Sequence, residues 1–424
     1  MGLHVGAGVG DLMPYLPENA ALFALPIASA VMVVRAVINS ETALVAAVPF
    51  CALASLPADR SLPAFFYLLT GGLIGAHRAA RACRRTEFIR AGIWMGLAQG
   101  ASAWGLGWLE GWGAQPQAAT IILMAIASGI VGGFLALSVV PVAETIFGYT
   151  TDMRLMELAS LDHPLLRDLM VRAPGTYHHS IVTGTLVKAA AESIGARALL
   201  AAVAAYYHDV GKISKPSYFV ENQADGGNRH EKLRPSMSAL ILMSHVKEGV
   251  ELARKHRLGR DIVAIIRQHH GTGLIQFFYD KACQSARPGL DDVQESDYRY
   301  PGPKPRSREA ALVLLADAVE AAARTLPDPK PARIHGLVQN LINRIFSDGQ
   351  LDECDLTLKD LHEIARSFSR ILTGIHHQRI DYPLAAQKEK RTHGDLDSER
   401  LRAGRDRRGE AAAQGAESLR RLGM

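Results

Sequence analysis

Cysteine is scarce and scattered. The four cysteines, Cys51, Cys83, Cys283 and Cys354, form no CxxC pair, which argues against a zinc ribbon or a disulfide scaffold and fits reduced thiols. No glycine-rich phosphate loop is present, and no alternating strand pattern of useful length, so the soluble part does not read as a sheet protein. Acidic residues are nearly missing between Ala20 and Gly148. That absence removes the polar helix faces that a large buried helical core would show. The net charge of +5 decides little, because much of it lies in one arginine-rich loop and a basic tail.

Long apolar runs fill the acid-poor region: ALFALPIASAVMVVRAVI, TALVAAVPFCALASL, PAFFYLLTGGLIGA, FIRAGIWMGLAQGASAWGLGWL and TIILMAIASGIVGGFLALSVVPVA. Each approaches or exceeds the roughly 20 residues that cross a hydrocarbon core, the second and third being short. The pattern predicts five spanning helices within residues 1–148. Orientation follows from arginine bias. HRAARACRRTEFIR, after the third run, carries Arg78, Arg81, Arg84, Arg85 and Arg90, whereas LEGWGAQPQ after the fourth carries no Lys or Arg. The arginine loop is therefore expected in the cytoplasm, together with everything after Gly148, and Met1 outside. MGLHVGAGVGDLMPYLPE has no basic leader and no small-residue cleavage pattern, so a segment missing upstream is expected.

Residues 149–387 read as helical. SIVTGTLVKAAAESIGARALLAAVAAYYHD, SMSALILMSHVKEGVELARKH, RDIVAIIRQHH and REAALVLLADAVEAAAR combine strong helix formers with apolar residues at spacings of three and four. Two long irregular connections, PSYFVENQADGGNRHEKLRP and SARPGLDDVQESDYRYPGPKPRS, are candidates for the rim of a site. Residues 388–424 are charged, nearly without bulky apolar side chains, and are expected to be a disordered tail. The fold class is therefore all-α: a polytopic transmembrane helical bundle followed by a cytoplasmic all-α domain.

Five histidines and two carboxylates stand out by their neighbours: His179 in GTYHHSIV, His208 with Asp209 in AYYHDVGK, His245 in LMSHVKEG, His269 with His270 in RQHHGT, and Asp317 in LLADAVEA. A lone histidine on an apolar face is more often a hydrogen-bonded core residue than a ligand. Two adjacent histidines point about 100° apart on a helix. His269 and His270 can therefore reach one centre only at a helix end, where Gly271 lets the chain turn away. Imidazole and carboxylate ligands together suit manganese, iron or zinc, and seven of them exceed what one ion accepts, which favours two metals with Asp209 as the bridge.

These residues resemble the signature of the HD-domain phosphohydrolases: a first His, a His-Asp pair and a distal Asp, matched by His179, His208, Asp209 and Asp317. More narrowly, GTYHHS, AYYHDVGK, YFVENQ, SHVKEGVELA, RQHHGT, YPGPKP, LADAVEAAAR and DGQLDECDLTLKDL are similar to the seven-transmembrane HD subfamily, which includes cyclic di-AMP phosphodiesterases. The resemblance runs from about Pro14 to Pro383. An additional helix and a large extracellular domain precede the spans in that subfamily, and a truncated or divergent member lacking both is expected.

The resemblance implies one metal held by His179, His208, Asp209 and Asp317, and a second by Asp209, His245, His269 and His270, with manganese or iron as the ions. It implies a membrane-anchored phosphodiesterase that opens a cyclic dinucleotide, cyclic di-AMP to pApA, by two-metal hydrolysis without a protein nucleophile. Lys212, one turn after His208, is expected to hold Asp209 ionised or to bind a phosphate oxygen; the alternative is an exposed lysine near a helix end. Arg324, Lys304 and Arg306 are weaker candidates for phosphate contacts. His178 must point away if His179 is a ligand, and His376 and His377 are left as structural. The expected partners are the cyclic dinucleotide and the lipid bilayer of a bacterial-type plasma membrane, with no nucleic acid polymer. Two other readings stay open: another HD nucleotide phosphohydrolase, and a membrane receptor that binds nucleotide without turnover.

Overall fold

The computed structural model describes residues 20–56, 62–80, 84–223, 227–286 and 292–377. Arg81 and Cys83 of the arginine loop, and the tail 388–424, lie outside the described residues. Every long regular element among the described residues is a helix, and the single β-type contact is an isolated bridge between Leu274 and Arg299.

The first half comprises α1 (Ala20–Ala24), α2 (Ser29–Val37), α3 (Ser40–Ser55), α4 (Leu62–Ala79), α5 (Arg85–Leu109) and α6 (Ala118–Phe147). The first apolar run is divided between α1 and α2 around Pro26, whose ring removes a backbone donor and breaks the helix. Among the described residues only α6, at 30 residues, is long and apolar enough by itself to cross a membrane. The stretch Leu22–Val37 and α3 are apolar but shorter. The polarity of the packing is inverted relative to a water-soluble bundle. α5 and α6 meet through glycines: a Cβ added at Gly129 would lie 2.1 Å from the Gly96 backbone nitrogen. Large apolar side chains face outward instead, among them Trp94, Trp104, Leu123, Phe134 and Ile146. Small residues at the helix contact and bulky apolar residues outside is the pattern expected where the surroundings are lipid.

The second half contains α7 (Asp152–Leu158), α8 (Pro164–Arg172), α9 (Pro174–Ile194), α10 (Ala198–Tyr207), α11 (Pro235–Lys255), α12 (Arg260–Gln268), α13 (Gln276–Ser285), α14 (Arg308–Arg324), α15 (Pro331–Ser347) and α16 (Leu358–His377). The sequence run through residues 180–209 reads as one helix, but it is two: Gly195 takes a left-handed conformation (φ 68°) that ends α9. α10, ALLAAVAAYY, is buried nearly all round, as is α14 from Ala310 to Ala316. A helix apolar on every side belongs in the middle of a core. Alanine on these two helices lets α9, α12 and α15 approach closely, and Leu155, Leu166, Leu186, Ile266, Ile334 and Phe368 close the core around them. The polar end of α10 is thereby placed inside the protein.

The two long connections carry short 3₁₀ turns, Pro216–Tyr218, Val220–Asn222 and Arg229–Lys232 in the first and Glu295–Tyr298 in the second. Ser307 caps α14 by accepting a hydrogen bond from the Ala310 amide.

Candidate metal centre

α10 ends at Tyr207. His208 is its last, C-capping residue, and Asp209 follows as the chain enters a 3₁₀ turn, Val210–Ser214. Gly211 makes this turn fit. A Cβ there would lie 1.9 Å from the His245 carbonyl oxygen and 2.6 Å from the Gly249 nitrogen. Only a residue without a side chain lets α11 press against the turn. That contact brings His245, on α11, to Asp209. His179 comes from α9 and Asp317 from α14, while His269 caps α12 and His270 follows it, the chain turning away at Gly271 (φ 51°). His179 is buried and His178 is exposed, as their 100° separation requires.

The seven side chains form two clusters that share Asp209: His179, His208, Asp209 and Asp317, and Asp209, His245, His269 and His270, with candidate ligand atoms within 4.8 Å of one another in each. Asp209 divides its oxygens between them. Its Oδ2 lies 3.7 Å from His179 Nε2 and 3.3 Å from His208 Nε2. Its Oδ1 lies 3.3 Å from His245 Nε2 and 3.7 Å from His269 Nε2. Asp317 Oδ1 is 3.0 Å from His179 Nε2, and Asp317 Oδ2 is 3.6 Å from His270 Nδ1.

The outward nitrogens are spoken for. Nδ1 of His208, His245 and His269 donates to the carbonyl oxygens of Ala205, Leu242 and Ile266, three residues back in each case. Nδ1 of His179 donates to Glu320 Oε2. With a proton fixed on Nδ1, each imidazole in its neutral form presents the Nε2 lone pair to the centre. His245 Nε2 and His269 Nε2 face each other at 3.2 Å, so two lone pairs oppose unless a proton or a cation lies near them. Asp209 Oδ1 and Nε2 of His208 are buried without a hydrogen-bond partner, while Asp209 Oδ2 meets Lys212. Buried polar atoms in that condition are rare and costly, and a cation among them would satisfy them together. The donor set thus fits divalent metal, and these residues could bind metal ions.

Charge is tuned accordingly. Burial alone would raise the Asp209 carboxyl, but Lys212 and then His208 hold it well below the usual carboxylate range. Burial opposes Asp317 in the same way, and His179 and His208 hold it well below. For His208 burial works against the proton, yet Asp209 beside it raises the imidazole to about 10. His179 is also raised, burial being outweighed by Asp317 and Glu320. His269 and His270 are lowered, chiefly by burial, then by neighbouring imidazoles for His270.

Lys212 Nζ lies 2.7 Å from Asp209 Oδ2 and 2.8 Å from Glu221 Oε1, over the Phe219 ring at 4.9 Å. Burial would lower the ammonium, but Asp209 and Glu221 raise it above its ordinary value. The exposed-lysine alternative is therefore wrong. The three weaker phosphate candidates are engaged elsewhere: Arg324 with Glu320 at 3.0 Å, Lys304 with Asp352 at 3.2 Å and Arg306 with Glu353 at 2.8 Å.

Glu221, Glu320 and Tyr300 escape a reading of the sequence. Glu320 follows Asp317 by three residues, a spacing that puts both on one helix face, and this was the available signal. Glu221 lies in the long connection, where no periodicity exists. Tyr300 stacks on His270 at 4.2 Å between ring centroids and 27° between planes.

Residues 3–151 match the family described as 7TM receptor with intracellular HD hydrolase, and residues 176–322 match the HD domain. The chain is 37% identical over 399 residues to the cyclic-di-AMP phosphodiesterase PgpH of Bacillus subtilis, covering 90% of this chain and 54% of that protein. It is 45% identical over 265 residues to PgpH of Listeria monocytogenes, covering 62% of this chain and 36% of the relative. The chain thus spans about half, or less, of the length of these curated relatives. A crystal structure of the L. monocytogenes PgpH HD domain in complex with cyclic-di-AMP is 44% identical, covering 52% of this chain and all of that one, with a TM-score of 0.49. The two family matches fall one on each half of the chain, and together they make it similar to the 7TM receptors with an intracellular HD hydrolase.

Proposed function

We propose that the chain is a membrane-anchored phosphodiesterase that hydrolyses a cyclic dinucleotide, cyclic di-AMP to pApA. The observation that carries the reading is the pair of His/Asp clusters joined through the two oxygens of Asp209. The substrate is supported by the relatives named cyclic-di-AMP phosphodiesterase, at 37% and 45% identity. In this reading His179, His208, Asp209 and Asp317 hold one divalent ion, and Asp209, His245, His269 and His270 a second, with manganese or iron as the metals. Such ions would lower the pKa of a water and neutralise charge on phosphate oxygens.

The chain's own contribution is orientation and charge. Backbone carbonyls and Glu320 fix the imidazoles so that Nε2 faces inward. Lys212 keeps Asp209 ionised, and because its ammonium is committed to Asp209 and Glu221 it acts as a positioning residue rather than a phosphate clamp. His270 and Asp317 are the least buried of the seven, so the substrate approaches from their side, beside Tyr300.

The same proposal places residues 1–148 in the membrane as about five helices, residues 149–387 in the cytoplasm as the HD unit, and 388–424 as a tail. The arginine bias and the outward apolar faces of α5 and α6 support it. The test is Asp209→Ala in the full chain, with bound metal and reaction products both measured. Loss of hydrolysis with metal falling to one ion or none is expected. Two retained ions with normal conversion of cyclic di-AMP would sink the shared-carboxylate reading.

A further inference from the structure

A second cavity, of about 1020 Å³, opens where the last turn of α6 meets α7, the end of α11 and α12. It contains none of the seven candidate ligands. Its wall carries seven arginines against two glutamates, Glu144 and Glu157. Glu157 is shared by Arg85 and Arg154, at 3.2 and 3.0 Å. Among the described residues Arg254, Arg257, Arg260 and Arg267 have no carboxylate partner. These four arginines are exposed at the rim of the cavity, and an anion placed there would meet guanidinium groups that no carboxylate neutralises.

Arg257 adds an independent observation. α11 ends with the Leu258 amide donating to the Ala253 carbonyl and the Arg257 amide to the Arg254 carbonyl. This is the helix stop in which the next residue adopts a left-handed conformation, usually as glycine. Here arginine stands there, with φ 52°, and it is the one non-glycine residue with positive φ among the described residues. Glycine would fill the position with less strain, so the arginine costs stability and supplies charge to the cavity. Leu258 behind it is fully buried and anchors the turn.

The position selects the anion. Glu144, Thr145 and Gly148 of the wall lie at the C-terminal end of α6, and Pro141 one turn above them also lines the cavity. Arg260 lies against Gly148, so its charge offsets the partial negative charge that the C-terminus of α6 turns toward the cavity. At 30 residues α6 spans about 45 Å, longer than a hydrocarbon core of about 30 Å, so its last turns reach headgroup depth. We propose that this cavity binds the headgroup of an anionic phospholipid. The phosphate pairs with Arg254, Arg257 and Arg260, and the glycerol end lies toward Pro141. The inference rests on α6 crossing the membrane and is independent of the hydrolytic reading.

The experiment uses the full chain in nanodiscs of mixed phosphatidylglycerol and phosphatidylcholine, with retained lipid counted by native mass spectrometry. Arg257→Gly relieves the backbone strain while removing the charge, and Arg257→Gly with Arg260→Gln removes two charges. Retention of phosphatidylglycerol over phosphatidylcholine is expected for the unaltered chain. The preference should fall roughly fivefold per arginine removed, with helix content and hydrolysis in detergent unchanged. Equal retention by the unaltered and doubly substituted chains overturns the site. Displacement of the bound lipid by millimolar inorganic phosphate or glycerol phosphate, without preference for the intact lipid, overturns the lipid in favour of a soluble anion. Loss of hydrolysis by Asp209→Ala leaves this result untouched, so the two proposals fail separately.

Discussion

Glu320→Gln separates the two clusters. Glu320 is nearly buried, accepts the His179 Nδ1 proton, and receives Arg324 at 3.0 Å on its outer side. His179 is the only one of the four inward-facing Nε2 imidazoles oriented by a carboxylate; His208, His245 and His269 use backbone carbonyls that no substitution removes. A glutamine keeps the shape and an acceptor oxygen but not the negative charge, so imidazole basicity falls while the ring stays in place. Carboxylates behind a metal-bound histidine contribute about 10- to 100-fold in metal affinity, which is ~1.4 to 2.7 kcal/mol. The loss should fall on one ion alone, because His179 belongs only to the cluster with His208 and Asp317. Stepwise manganese titration of the chelated chain, followed by calorimetry, is the assay. One site weakened within that range and the other unchanged is expected. Equal weakening of both sites, or of neither, would refute the assignment of Glu320 to a single centre.

Four further outcomes follow from the same geometry. Asp209→Ala should abolish hydrolysis and leave at most one ion per chain, measured by elemental analysis. Gly211→Ala forces its Cβ against the His245 carbonyl at 1.9 Å, so α11 must move away; overpacking of this kind costs about 1–3 kcal/mol or more, and a lower melting temperature with loss of the His245 cluster's ion is expected. In the chelated chain His208 is raised from 6.5 to about 10. Its contribution to stability is full below 6.5 and lost as pH climbs through 10. Metal loading at pH 7 must then release protons and weaken as pH falls, which calorimetry in buffers of different ionisation enthalpy detects; heats independent of buffer would contradict it. For topology, a single cysteine at Gln115 should react with a membrane-impermeant reagent on intact cells and one at Arg84 should not; the reverse pattern overturns the cytoplasmic placement.

The ligand types were legible in the chain itself, whereas their division into two sets came from the family resemblance. HD and HH pairs at helix ends, a third histidine and a distal aspartate are local features, and imidazole with carboxylate limits the metals whatever the fold. The all-helical character was equally local, since propensity and spacing carry it. Other features depended on contacts between segments distant in sequence. That Asp209 turns one oxygen to each cluster follows from α11 pressing on Gly211, a contact between residues 34 positions apart that no spacing announces. Lys212 became a buried ion-pair partner because Glu221 folds back from an irregular loop, and Glu320 became the orienter of His179 across 141 residues. The membrane runs show the same division. Hydrophobicity marked them and Pro26 marks the break in the first, but the glycine contact between Gly96 and Gly129 arises only when helices pack. The arginine cavity is the strongest case: its charges come from the start of α5, from α7, from both sides of the α11–α12 turn and from the connection before α14. Sequence sets what a residue can do chemically, through its charge, size and donor atoms. Which residues do it together is decided by burial, because only a packed core brings distant side chains within a few ångströms and removes the water that would otherwise screen them.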